Sequence, residues 1–195
     1  LGDPRRARRE GGASGRLPQR VERPGGQLDI VVQENDDRRR TFGDRGIQRG
    51  VDYWQRGQRE LATAEFSRAA RENPEDALPH VYLSRMARES GNLTLAGQEA
   101  TLAVQAEPDN PIALREMAAY LLAAGNYELS RRFYVRALQA NPEDRSSQGF
   151  LGCALIRLGR YDEGMKWMNR AGQGSWSQCA VQTMPPGAVP PAIPR

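Results

Sequence analysis

A 34-residue period governs this chain, carried by Gly57, Gly91, Gly125 and Gly159, by Ala69, Ala103, Ala137 and Ala171, and by Pro74, Pro108 and Pro142. A chain written this way folds as a row of similar units, each too small to bury its own apolar face and each completed by its neighbour. Glycine marks a turn inside the unit. Proline marks the break between units.

The period sets units at 43–76, 77–110, 111–144 and 145–172. Each reads as two helices. In the first helix, Gly50, Ser84, Ala118 and Gly152 share a register, and a small residue there lets the partner helix approach. Tyr53, Ala87, Leu121 and Leu155 lie one turn further in. The second helix shows apolar spacing of four and three: Ala62, Phe66, Ala69; Ala96, Ala100, Ala103, Val104; Ser130, Tyr134, Ala137, Leu138. Acidic or amide residues beside the prolines, such as Glu75-Asp76, Asp109-Asn110 and Glu143-Asp144, favour the start of the next helix.

These offsets resemble the tetratricopeptide repeat family, whose unit is a 34-residue helical hairpin. The resemblance implies an all-α, right-handed superhelical solenoid of about four hairpins. Three departures stand out. The consensus tryptophan of the first helix is replaced by Gly46, His80, Leu114 and Gln148; Ser130 and Gly164 replace an expected alanine; and no long capping helix follows Gly172-Gln173-Gly174. The last leaves Trp167, Met168 and Trp176 as candidates for an exposed apolar end, to be covered by the chain's own tail or by another subunit.

The family's inner groove maps here to Ile47, Val51 and Trp54; Val81, Arg85 and Arg88; Arg115, Ala119 and Leu122; and Gly149, Cys153 and Ile156. That groove is apolar at both ends and basic in the middle. Arg85, Arg88 and Arg115 suit a carboxylate, and Trp54 suits an interface anchor. Chaperone-binding members clamp a C-terminal carboxylate with a lysine and asparagines at positions occupied here by Ile47 and Val51. The clamp is therefore not expected.

The two ends differ from the array. Residues 1–42 and 173–195 hold most of the Gly and Pro runs, and the +4 charge of the whole chain lies there, because residues 46–176 carry 16 basic and 16 acidic side chains. Within the first arm, Leu28, Ile30 and Val32 mark an apolar segment at 28–32 that reads as a short strand or an extended docking segment, with disorder as the alternative. Arg38, Arg39 and Arg40 form a basic cluster suited to phosphates or an acidic protein surface. The Pro-rich C-terminal tail favours extended polyproline geometry.

Little supports catalysis. His80 is the only histidine and falls at a packing register, Cys153 sits on a helix with Arg157 one turn on, and the acidic pairs at unit ends stabilise helix starts. No catalytic residues, cofactor or metal site are expected, since a single imidazole and two cysteines give no ligand spacing. Cys153 and Cys179 allow one bridge. Asn92-Leu93-Thr94 matches a glycosylation acceptor but sits in a tight turn. No apolar run approaches the roughly 18 residues of a membrane span.

The expectation is a non-catalytic protein–protein interaction scaffold, a subunit or assembly factor of a larger complex, binding protein subunits or peptides. The alternative is a helical-repeat RNA binder using the arginine-rich arm, disfavoured by a neutral array with few aromatic residues. Only Lys166 among 28 basic residues is lysine, which points to a G+C-rich bacterial genome. With a start at Leu1, this favours a periplasmic or cell-surface protein over a cytoplasmic one.

Overall fold

A computed structural model describes residues 44–182. The arm residues Leu28, Ile30, Val32, Arg38, Arg39 and Arg40, and the proline-rich run from residue 183 onward, lie outside the described residues. Those described form helices without strands: α1 (44–55), α2 (Arg59–Glu72), α3 (Ala77–Glu89), α4 (Leu93–Ala106), α5 (Pro111–Ala123), α6 (Tyr127–Ala140), α7 (Arg145–Arg157), α8 (Tyr161–Ala171) and a short α9 (Ser177–Gln182). Helices α1 to α8 make four consecutive hairpins, as expected for the solenoid.

One turn, used four times, makes each hairpin. At Gly91 the backbone takes φ +79°, its N–H donates to the Arg88 carbonyl, and the Asn92 N–H donates to the Ala87 carbonyl. That pairing uses carbonyls left over at the end of α3, and the positive φ is why the period is written in glycine. Asn92 then caps α4 with its side-chain oxygen, accepting from the Leu95 N–H at 3.1 Å. One residue thus ends one helix and begins the next. Asn126 repeats the arrangement between α5 and α6.

Between units the carboxylates and amides beside proline act as caps. Asp76 accepts from Leu78 N–H, Asn110 from Ile112 N–H and Ala113 N–H, and Asp144 from Ser146 N–H. Each such cap contributes ~1 kcal/mol.

The second-helix stripes are buried as their spacing predicts, with Phe66 and Tyr134 fully enclosed and Val104 half-buried. Small first-helix residues make room for them. A Cβ on Gly50 would lie 2.5 Å from the Phe66 ring, and one on Gly152 would lie 2.7 Å from the Gly164 carbonyl oxygen. The serines join the hairpin helices by hydrogen bonds instead: Ser84 Oγ donates to the Ala96 carbonyl and Ser130 Oγ to the Ala118 carbonyl. Ser130 therefore replaces alanine without leaving a buried hydroxyl unpaired.

The apolar end of the array is covered by the chain itself. Trp176 is buried against Met168, Ala171 and Ile156, so it is the cover rather than an exposed edge. Trp167 is half-buried beside the cluster of Tyr134, Leu151 and Leu155, with the Arg170 guanidinium 5.7 Å above its ring.

A candidate partner-binding groove on the first helices

The first helices α3, α5 and α7 bring the basic middle of the groove together, but they also supply its countercharge. Glu116 is buried on α5 and bridges two guanidiniums of α3, with Arg88 Nε at 3.2 Å and Arg85 Nε at 3.6 Å. Ser84 Oγ lies 3.3 Å from the same carboxylate. Arg115 pairs with Asp144 at 2.9 Å. Three guanidiniums thus face two carboxylates of their own chain, a correction to the reading of a groove with free basic charge. Arg85 holds the longer contact and also lies 6.0 Å from the centre of the Trp54 ring, a cation–π partner on the neighbouring unit.

Asp144 shows how the network tunes a carboxyl group. Burial pushes its pKa up, but the hydrogen bond from Ser147 Oγ, the Arg115 charge and the Ser146 N–H together outweigh it and hold the group below 3.8. Asp76 shows the reverse balance. Burial dominates there and raises its pKa despite the bond from Leu78 N–H.

In the fourth unit the groove register holds Gly149, Cys153 and Ile156, and the chain fills it. Trp176 lies directly over Gly149, meets Phe150 edge-on at 5.9 Å and donates from Nε1 to the Gly172 carbonyl. A disulfide joins Cys153 of α7 to Cys179 of α9, with Cα atoms 5.5 Å apart. The bridge forms one wall of a cavity of about 390 Å³ that is also lined by Arg88, Leu122, Tyr134, Phe150 and Arg157. Tyr134 is fully buried, burial raises its pKa, and its hydroxyl has no hydrogen-bond partner among the described residues.

The predicted groove residues divide into two groups. Val51, Trp54, Arg85, Arg88, Arg115 and Leu122 keep part of their surface in solvent. Val81, Ile156 and Ile47 do not, at 1%, 5% and 8% exposure. These three are corrections: Val81 packs with Ala77, Ala103 and Ala113 between units, Ile156 with Met168, and Ile47 with Phe66. His80 is engaged in structure, with Nδ1 2.7 Å from Glu99 Oε2. Sequence reading missed Glu116 and the Gly149–Trp176 contact. Both had a signal: Glu116 shares its register with Gln48, Tyr82 and Phe150, so it stands between two aromatic units, and Gly149 shares its register with Ile47, Val81 and Arg115.

Comparison with known proteins agrees with this architecture. The family model described as tetratricopeptide repeat matches residues 47–111 and 115–177, well over half of the sequence, and the chain belongs to that family. A structure of PilF from Pseudomonas aeruginosa is similar at TM-score 0.66 and 22% identity, covering 74% of this chain and 68% of that one. TTC0263, a thermophilic tetratricopeptide protein of Thermus thermophilus, gives 0.59 and 19%, covering 66% and 72%. The first tetratricopeptide domain of Spaghetti (RPAP3), bound to the HSP90 peptide SRMEEVD, gives 0.57 and 16%, covering 61% and 94%. At these identities the likeness concerns the fold. No curated protein matches the sequence.

Proposed function

We propose that this protein is a non-catalytic scaffold, a subunit or assembly factor of a larger bacterial complex, that receives a partner segment along α1, α3 and α5. As a tetratricopeptide protein it is in general a module for protein–protein interaction. The observation that carries the finer reading is the half-buried row Val51, Trp54, Arg85 and Leu122, where an aromatic and aliphatic surface adjoins a guanidinium held only loosely by Glu116. A partner carboxylate can take over Arg85 while Arg88 keeps Glu116 neutralised.

The Cys153–Cys179 bridge supports an oxidising compartment, consistent with a periplasmic or cell-surface location. No helix of the described residues is long and apolar enough to cross a membrane.

The test is affinity purification of the tagged full-length protein beside two variants, one lacking residues 1–42 and 183–195 and one carrying Arg85→Ala with Trp54→Ala. Loss of a defined partner in the second variant supports the groove. Loss only in the trimmed chain moves the contact to the terminal arms, and recovery of nucleic acid without protein rejects the reading.

A further inference from the structure

The fourth unit differs from the others in what occupies its groove face. Gly149 lacks the side chain its register carries elsewhere, and the Trp176 indole uses that space. The following helix α9 packs on α7 more than on α8, whereas α5 and α7, besides their own hairpin partners, each pack on the second helix of the preceding unit, α4 and α6. It therefore does not continue the solenoid. It lies on a partner-facing surface of α7 as a bound segment would, held by the Cys153–Cys179 bond.

Helix α9 is short. It has six residues, and the bonds at its start are local, Ser177 N–H to the Gly174 carbonyl and Cys179 N–H to the Trp176 carbonyl. A helix this short does not persist alone in water. Cys153 Sγ lies 3.4 Å from the Trp176 carbonyl oxygen, a contact that is not a hydrogen bond while the sulfur is bridged.

We propose that the segment Trp176–Cys179 is an exchangeable occupant of the fourth-unit groove, latched by the disulfide, and that the slot over Gly149 accepts an aromatic side chain of a partner segment once the bridge is reduced. The partner's chemistry is read from the occupant: an indole or phenyl ring lying on glycine and meeting Phe150 by its edge, followed by a short polar helical turn. The slot adjoins the 390 Å³ cavity, whose wall includes the Cys153–Cys179 bridge and Phe150, the residue that Trp176 meets edge-on.

A dithiol reductant of the thioredoxin type performs the opening. Its thiolate attacks Sγ of half-buried Cys179, the Cys153–Cys179 bond breaks, and fully buried Cys153 leaves as a thiolate that is then protonated. The reductant's second thiol attacks the mixed disulfide, so Cys179 leaves in turn and takes a proton. The bridge has gained two electrons and two protons, and the dithiol has become a disulfide.

This inference rests on the scaffold reading for its partner but is tested without one. Hydrogen exchange is measured on the full chain, oxidised and after dithiol reduction, with thiol titration confirming two free thiols. Exchange of the Ser177 and Cys179 amides is expected to rise at least ten-fold with α3 to α6 unchanged. Unchanged exchange on full reduction overturns the latch, as does loss of far-UV helical signal across the whole array.

The second arm uses a fluorescein-labelled peptide of residues 172–182 carrying Cys179→Ser, followed by anisotropy. It is expected to bind the reduced chain bearing Trp176→Ala at least ten-fold more tightly than the oxidised wild type. The same peptide with Trp176→Ala should not bind. Equal binding to both redox states, or no binding to the reduced variant, overturns the slot. If the Trp176→Ala chain does not fold, full-length Cys179→Ser replaces it, with the same outcomes deciding. Failure of the scaffold reading shows separately, as a purification that brings down no partner.

Discussion

The Trp176 indole lies where a side chain at Gly149 would stand: a Cβ built there would be 2.1 Å from the ring. The terminal unit thus trades a groove side chain for a covering one, and the two positions depend on each other. Gly149→Ala is expected to expel or tilt the indole at a cost of about 1–3 kcal/mol, the usual range for overfilling a packed site. Trp176→Ala should cost about 3–5 kcal/mol by opening a cavity over Met168 and Phe150. In chemical denaturation the double variant should lose less than the sum of the two, because the new methyl group no longer meets a ring.

Glu116 is the one groove carboxylate that both α3 arginines share. Glu116→Ala leaves Arg85 and Arg88 facing each other without a countercharge, and about 2–3 kcal/mol of stability should be lost. That figure is below the full cost of breaking a buried pair because both guanidiniums keep over a quarter of their surface in water. Arg88→Ala in the Glu116→Ala background should cost far less than Arg88→Ala alone. Thermal or urea unfolding of the four chains checks the cycle, and additive losses would show that the pair contributes nothing beyond packing.

At Gly91 and Gly125 a Cβ would meet nothing within 4 Å, yet φ is +79° at both. Any cost of alanine there comes from the backbone alone. Gly125→Ala is expected to destabilise by ~1–2 kcal/mol, the penalty of the left-handed conformation for an L-residue. An unfolding midpoint unchanged from wild type would mean the turn has found another geometry.

Much of this architecture was legible because repetition makes each register visible several times. The glycine turn, the capping residues beside proline and the second-helix stripe follow from backbone geometry that every unit must repeat. The groove was harder to read, because its character is set by pairs from different units: Glu116 with Arg88, Asp144 with Arg115, and Trp176 with Gly149. A family register says which way a position faces in an average repeat, and Val81, Ile47 and Ile156 sank into the core because their neighbours Ala103, Ala69 and Gly164 are small enough to admit them. Exceptions to the period, Glu116 between Tyr82 and Phe150 of the flanking units and Gly149 among larger residues, carried the site information.

The two capping aspartates predict opposite pH responses. Asp144 is held below its ordinary value, so the folded state favours its charged form; its contribution is fully present above about pH 4 and is lost as pH falls through the lower folded value. Asp76 is raised, so its contribution is present below about pH 4 and is lost as pH rises through the folded value. Urea midpoints measured from acid to neutral pH separate the two. The gap between wild type and Asp144→Asn should be widest near neutrality and narrow in acid as the wild-type carboxylate is protonated. For Asp76→Asn the gap should change the other way, with the variant gaining on wild type as pH rises above about 4, because an amide keeps the acceptor for Leu78 N–H without the charge that burial penalises. If both variants move in the same direction with pH, the balance of burial and hydrogen bonding assigned to one of these caps is wrong, and the Arg115–Asp144 pair is the first to re-examine by a charge-reversal swap.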